Sequence, residues 1–204
     1  MQDVVVTRVQ YGGPRRSRTL EERLLVRFSS LYRRLAPKIF ARLSPRSRLR
    51  RALVRRAVIS GWEAFHRQDF ELMLVRYAPD IVYEFNPGMQ TLGLDGSFRG
   101  HEGLREALGK FIEVWDSWEL EPAYTIDLGD RVLSLGFNHS RARGSGVKLD
   151  VEFAQLVTAP DGLVTHHQSF FSWDEGLRAA GLDPDALTLP ARRRTGEGAS
   201  SPTV

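Results

Sequence analysis

The apolar positions of the chain change period part-way along. Up to residue 115 they recur at steps of three and four, interrupted by one short alternating stretch at 81–85; from Trp118 onward apolar and polar residues alternate. Thr19 and Glu22 have capping-box spacing, and behind them Leu20, Leu24, Phe28, Leu31, Tyr32 and Leu35 draw one apolar helical stripe. Pro37 interrupts it, residues 38–43 add a short turn, and Ser44-Pro45 reads as the N-cap and first residue of a second helix over 45–66. There Val54, Val58, Trp62 and Phe65 share a face, while Arg46, Arg48, Arg50, Arg51, Arg55 and Arg56 crowd the first half. Asp69 caps a third helix over 70–77, ended by Ala78-Pro79-Asp80. A strand over 81–85 stops at Asn86-Pro87-Gly88, a glycine-rich loop covers 88–100, and Leu104, Leu108, Phe111 and Trp115 mark a helix over 102–115. Strands follow near 118–127, 131–142, 147–158 and 163–173, with Gly129-Asp130 and Asp161-Gly162 as turns and a short helix over 174–181 at the end. Helices first and then a run of antiparallel strands predict an α+β fold rather than a parallel α/β sheet.

Composition divides this pattern. At 204 residues, with 42% apolar and 10% aromatic, the chain suits one domain with extensions. The expected organisation is an irregular N-terminus (1–18), a basic amphipathic helical arm (19–56), an α+β domain (57–188, firmest from Ser60 to Leu182) and a disordered tail (189–204). The absence of cysteine excludes disulfides, thiolate metal sites and cysteine nucleophiles, and fits a reducing cytoplasm. No apolar run approaches the roughly 18 residues that a membrane span needs, and residues 1–11 lack the pattern of a signal peptide. The net charge of +4 conceals +13 over residues 1–56, −11 over 57–188 and +2 over 189–204. Three readings of the basic arm compete: a helix packing its apolar stripe on the acidic domain or a dimer mate, a peripheral contact with an anionic membrane surface, and nucleic acid. Nucleic acid ranks last, because no recognised binding fold accompanies the charge.

The stretch 70–80 with its Tyr77-Ala78-Pro79-Asp80, the strand Val82-Tyr83-Glu84-Phe85, and Phe98-Arg99-Gly100-His101-Glu102-Gly103-Leu104 are similar to SnoaL-like domains. So are Asp127-Leu128-Gly129-Asp130-Arg131-Val132 and the strand after Asp161-Gly162. These domains belong to the nuclear transport factor two-like superfamily, with ketosteroid isomerases, scytalone dehydratases and polyketide cyclases as relatives. The resemblance implies a cone-shaped (cystatin-like roll) fold: a curved antiparallel sheet wrapped around helices, with a pocket open at one end. It also implies a homodimer through the outer face of the sheet and an apolar small molecule as partner.

Aligned through the resemblance, the three functional positions of ketosteroid isomerase fall on Phe85, near Gly61 and near Ala154, none of which can do that chemistry. SnoaL-type cyclases use a pocket aspartate with histidine support, and no Asp here aligns with that role. Strand alternation nominates others. An inward set of Leu133, Leu135 and Phe137 extends to His139; Glu152 shares the parity of Ala154; and His167, Ser169 and Phe171 point in while His166 and Gln168 point out. Glu152 beside His139 or His167 would form a general acid–base pair. Tyr83, Phe85, Phe111, Trp115, Phe137, Ser169 and Phe171 would line the ligand site. The alternative is that Glu152 and the histidines are hydrogen-bonded at the sheet rim. No metal is expected, since His166 and His167 leave opposite faces of one strand, and no cofactor. Gly144-Ser145-Gly146 is a hairpin turn, because no helix follows to make a nucleophile elbow. The expected function is a small-molecule-binding domain. The alternatives are a cofactor-independent cyclase, isomerase or hydrolase, and an interaction module acting through the arm.

Overall fold

The computed structural model describes residues 5–40, 42–187 and 189. Strand β1 (Val6–Arg8) is followed by helices α1 (Leu20–Arg27), α2 (Ser29–Phe40), α3 (Arg48–His66) and α4 (Phe70–Val75). Strand β2 (Tyr77–Phe85), a 3₁₀ turn (Pro87–Leu92), β3 (Ser97–Arg99) and α5 (Gly100–Glu113) come next. Four long strands then run in succession, β4 (Trp115–Asp127), β5 (Arg131–Ala142), β6 (Lys148–Thr158) and β7 (Val164–Phe170), before α6 (Trp173–Ala179) and a 3₁₀ turn at Pro184–Ala186.

All seven strands form one sheet in the order β1-β4-β5-β6-β7-β2-β3. Every pairing is antiparallel except β2 with β7, which is parallel, so the expected antiparallel sheet is a mixed one. Alternation marks a strand but carries no information about its neighbour, and β2 meets β7 only after the chain has passed through the rest of the sheet. The sheet has a core on each side. Its inner face packs on α3 and α5 through Trp62, Phe65, Leu104, Leu108, Phe111 and Phe153. Its outer face is covered by α6 through Leu133, Leu135, Ala154, Leu156, Trp173 and Leu177. At Gly136 the inner approach is so close that a Cβ would lie 2.7 Å from the Trp62 ring and 2.3 Å from the Glu121 carbonyl oxygen.

Several local expectations change. Residues 6–8 are a strand rather than irregular chain, because they complete the ladder of β4 (Val6 opposite Ile126). The third helix stops at Val75 and Tyr77 opens β2, since Arg76 O accepts from Val164 N and so starts the β7 pairing. The glycine-rich stretch holds a 3₁₀ turn and β3, with Met89 and Leu94 fully buried. Pro37 lies inside α2 instead of interrupting it; tertiary contact overrides propensity there. Ala36 and Phe40 press on the β6–β7 turn, where Gly162 (φ +73°) has no room for a Cβ. The expected tail falls outside the described residues except for Leu189, which is buried in the outer core.

Polar contacts as well as apolar ones hold the arm. Glu22 accepts from Thr19 N (2.9 Å), Ser60 Oγ (2.8 Å) and Arg67 Nη2 (3.2 Å). Burial opposes its ionisation, but these bonds keep its pKa below the usual carboxylate value. Arg18 forks onto Asp69 at 2.5 and 2.6 Å. Arg50, buried, donates to both oxygens of Asp127 (2.7 and 3.1 Å) and to the carbonyls of Phe40, Leu43 and Gly129. Of the apolar stripe read from sequence, only Tyr32 faces the domain; Leu20, Leu24, Phe28, Leu31 and Leu35 are exposed. Leu25, Val26 and Ala36 make the packed side, which periodicity could not distinguish because both sides of the helix carry apolar residues.

Candidate functional site

Strand registers fix which side chains share the inner face. His167 stands opposite Tyr83 of β2 and Val157 of β6, and Ser169 opposite Phe85 and Gln155. Between this wall and helices α2 and α3 lies a cavity of about 150 Å³, the size that holds a single aromatic ring. Its lining is mostly apolar: Phe40 and Tyr32 from α2, Val54, Val58 and Trp62 from α3, then Phe65, Met73, Tyr77, Leu120 and Val157. The few polar groups are His167, Ser134, Gln155 and Arg76, with Arg50 and Asp130 at one end.

His167 is 3% exposed. Its Nδ1 lies 2.8 Å from the Tyr77 hydroxyl, its ring stacks on Tyr77 at 5.9 Å, and it meets Tyr83 edge-on at 4.8 Å. Its Nε2 is buried without a partner, and so is Ser134 Oγ in the same cavity. Burial first, and His166 second, push the His167 pKa down to about 3, so the ring is neutral at neutral pH. With Nδ1 accepting from Tyr77, Nε2–H is a donor; in the other tautomer Nε2 is an acceptor and a base. Burial raises the pKa of Tyr77 and Tyr83, keeping both hydroxyls protonated. Tyr83 hydrogen-bonds Ser169 at 2.9 Å. Arg76 reaches Ser60 Oγ at 3.3 and 3.4 Å, and burial lowers its pKa.

Of the residues nominated from sequence, His167 alone borders this cavity. Tyr83, Phe85 and Ser169 stand on the same wall but pack among themselves and against Phe98. Phe111, Trp115 and Phe171 join Phe153 in the neighbouring aromatic core. Phe137 is on the outer face, 5.0 Å from Trp173. His139 is also outside, where it contacts Asp150 (2.5 Å) and Glu121 (3.8 Å) near solvent. Glu152 pairs with Phe137 in register and accepts from Trp173 N at 3.0 Å, beneath α6. The Glu152–histidine pair therefore does not assemble. The inward set chosen for β5 and β6 is the outer one, because α6 buries Leu133, Leu135, Ala154 and Leu156 on that face. Ala154 lies outside with it, and its inward neighbours Phe153 and Gln155 carry no carboxylate. Tyr32, Phe40, Tyr77, Arg76 and Ser134 were missed. Only Tyr77, two residues from Pro79 in a strand-compatible sequence, gave any local signal.

The profile of the SnoaL-like domain matches residues 58–167, from mid-α3 to His167. No curated protein matches the chain. Among solved structures, TerC co-crystallised with polyporic acid shares 28% identity at a TM-score of 0.52, over 57% of this chain and 89% of that one. An NTF2-like protein of unknown function from Burkholderia pseudomallei K96243 shares 26% at 0.52, over 60% and 93%. Another from Burkholderia thailandensis E264, at 22% and 0.51 over 62% and 93%, has the same fold.

Proposed function

This chain belongs to the SnoaL-like domain family, and on that footing we propose that it binds an apolar, ring-containing small molecule through an oxygen atom placed at His167, without ketosteroid isomerase chemistry. One observation carries the reading: an apolar cavity of about 150 Å³ bordered by a buried, neutral imidazole whose Nε2 has no hydrogen-bond partner. A buried donor left without an acceptor is costly, so a ligand oxygen there gains what the free protein lacks. TerC, which is similar in structure, was co-crystallised with polyporic acid.

The test compares acetophenone with α-methylstyrene, which has the same shape but no carbonyl, by calorimetry. His167→Phe is expected to shift the preference between the two by about fivefold or more, the worth of one buried hydrogen bond. If neither compound binds, or if the ratio is the same in the variant, the reading fails. The cyclase, isomerase or hydrolase alternative keeps only His167 of its three residues, now with Tyr77 as its neighbour. A neutral imidazole can polarise a carbonyl. Under this alternative acetophenone methyl protons would exchange with D₂O faster than in buffer, with His167→Phe abolishing the excess; the binding reading expects no excess.

A further inference from the structure

The arm has a second face that the cavity does not use. Leu20, Leu24, Phe28, Leu31, Leu35 and Ile39 recur at steps of three and four along α1 and α2, and each is between 43 and 73% exposed. Exposed cations run beside them: Arg23, Arg27, Arg34 and Lys38 immediately precede Leu24, Phe28, Leu35 and Ile39. Glu21 is the one exposed carboxylate among the described residues of these helices, and it is paired with Arg56. The helices cannot roll to hide the stripe. Glu22 is tied to Ser60, Arg33 donates to the Leu74 carbonyl (3.2 Å), and Ala36 is buried against the β6–β7 turn. Both helices rest on α4, so the faces they expose lie on the side away from it.

We infer that this face docks on an anionic lipid bilayer, with α1 and α2 lying in the interfacial plane. A bilayer surface sets phosphate charge directly above hydrocarbon, and the arm sets cation directly beside hydrocarbon. Arg23, Arg27, Arg34 and Lys38, all exposed, supply the complementary charge. A second copy is a poorer occupant. A two-fold contact through the same face would bring two sets of four cations together with no free carboxylate to offset them. Nucleic acid supplies phosphate but nothing to cover six exposed apolar side chains. Because the inner side of α2 walls the cavity with Tyr32 and Phe40, a docked molecule holds that cavity about one helix diameter, roughly 10 Å, from the lipid. Docking does not depend on the ligand reading, and vesicle binding is measured without ligand.

The full chain is sedimented with vesicles of phosphatidylcholine alone and of phosphatidylcholine with about one-third phosphatidylglycerol, at low salt and at about 1 M salt, where the screening length is about 3 Å. Binding is expected only to the anionic vesicles, weakened about tenfold or more by salt. The triple variant Leu24→Glu, Leu31→Glu, Leu35→Glu, at exposed positions, should lose binding by at least about tenfold with its melting temperature nearly unchanged. As a second readout, Leu31→Trp should show a blue-shifted emission that brominated lipid quenches. Equal binding to both vesicle types, no binding, or an unaffected triple variant overturns the inference. So does a dimer, seen by light scattering, that the triple variant splits while vesicles remain unbound; that result assigns the face to a second copy.

Discussion

A proton on His167 is unfavourable in the fold. Burial, and then His166, lower its pKa to about 3, against about 6.5 in an unfolded chain. Between those values the unfolded state binds the extra proton. The stabilising contribution of the neutral ring is therefore complete above about pH 6.5 and is lost as pH falls toward 3, at up to about 1.4 kcal/mol per pH unit. His167→Phe is expected to flatten the fall in stability across this window in urea titrations at successive pH values. An unchanged slope would mean the ring is not sealed. His66, also lowered by burial, leaves a residual slope of the same sign. The inward parity of His167 and Ser169 was legible because β7 alternates cleanly, with His166 and Gln168 both reaching Glu84 on the other side. On β5 both parities are buried, Ser134 inward and Leu133 and Leu135 outward, so apolarity selected the wrong face.

Among the elements, α6 explains Glu152. The carboxylate takes the Trp173 N–H at the first turn of the helix, while Trp173 Nε1 donates to the Gly136 carbonyl at 2.7 Å. Gly176 lets the helix lie directly on Ala154, where a Cβ would come within 2.6 Å. Glu152→Ala is thus expected to cost about 1–2 kcal/mol, seen as a fall in Tm of about 2–4 °C per kcal/mol in a chain this size. Affinity for acetophenone should stay the same. Loss of that affinity with Tm intact would return Glu152 to a ligand-contacting role. The α6 segment was readable from sequence as a helix, but nothing local said which side of the sheet it would cover.

For the molecule as a whole, one buried joint between arm and domain is the Arg50–Asp127 pair, whose side chains are 8 and 5% exposed. Removing one partner leaves a buried charge uncompensated, so Asp127→Asn should destabilise by about 3–5 kcal/mol, and Arg50→Met with Asp127→Leu by less than the two singles combined. Denaturant unfolding measures both. Since Arg50 also binds the Phe40 and Leu43 carbonyls, ligand affinity should fall alongside stability as the α2 wall loosens. Full affinity in a destabilised Asp127→Asn chain would show that α2 does not shape the cavity.

By itself the sequence determined the long strands and most helices, their order and the family, though not β1 or β3, because period, caps and turn residues act over a few residues and leave a local trace. It also fixed the charge division between arm and domain. Tertiary structure alone decided which strand face is inner, that β2 lies parallel to β7, and that α2 turns Tyr32 and Phe40 into the cavity while leaving its leucines outside. An apolar side chain records that burial is favourable; it does not record against what. Where two surfaces compete for the same strand or helix, only the completed packing chooses between them.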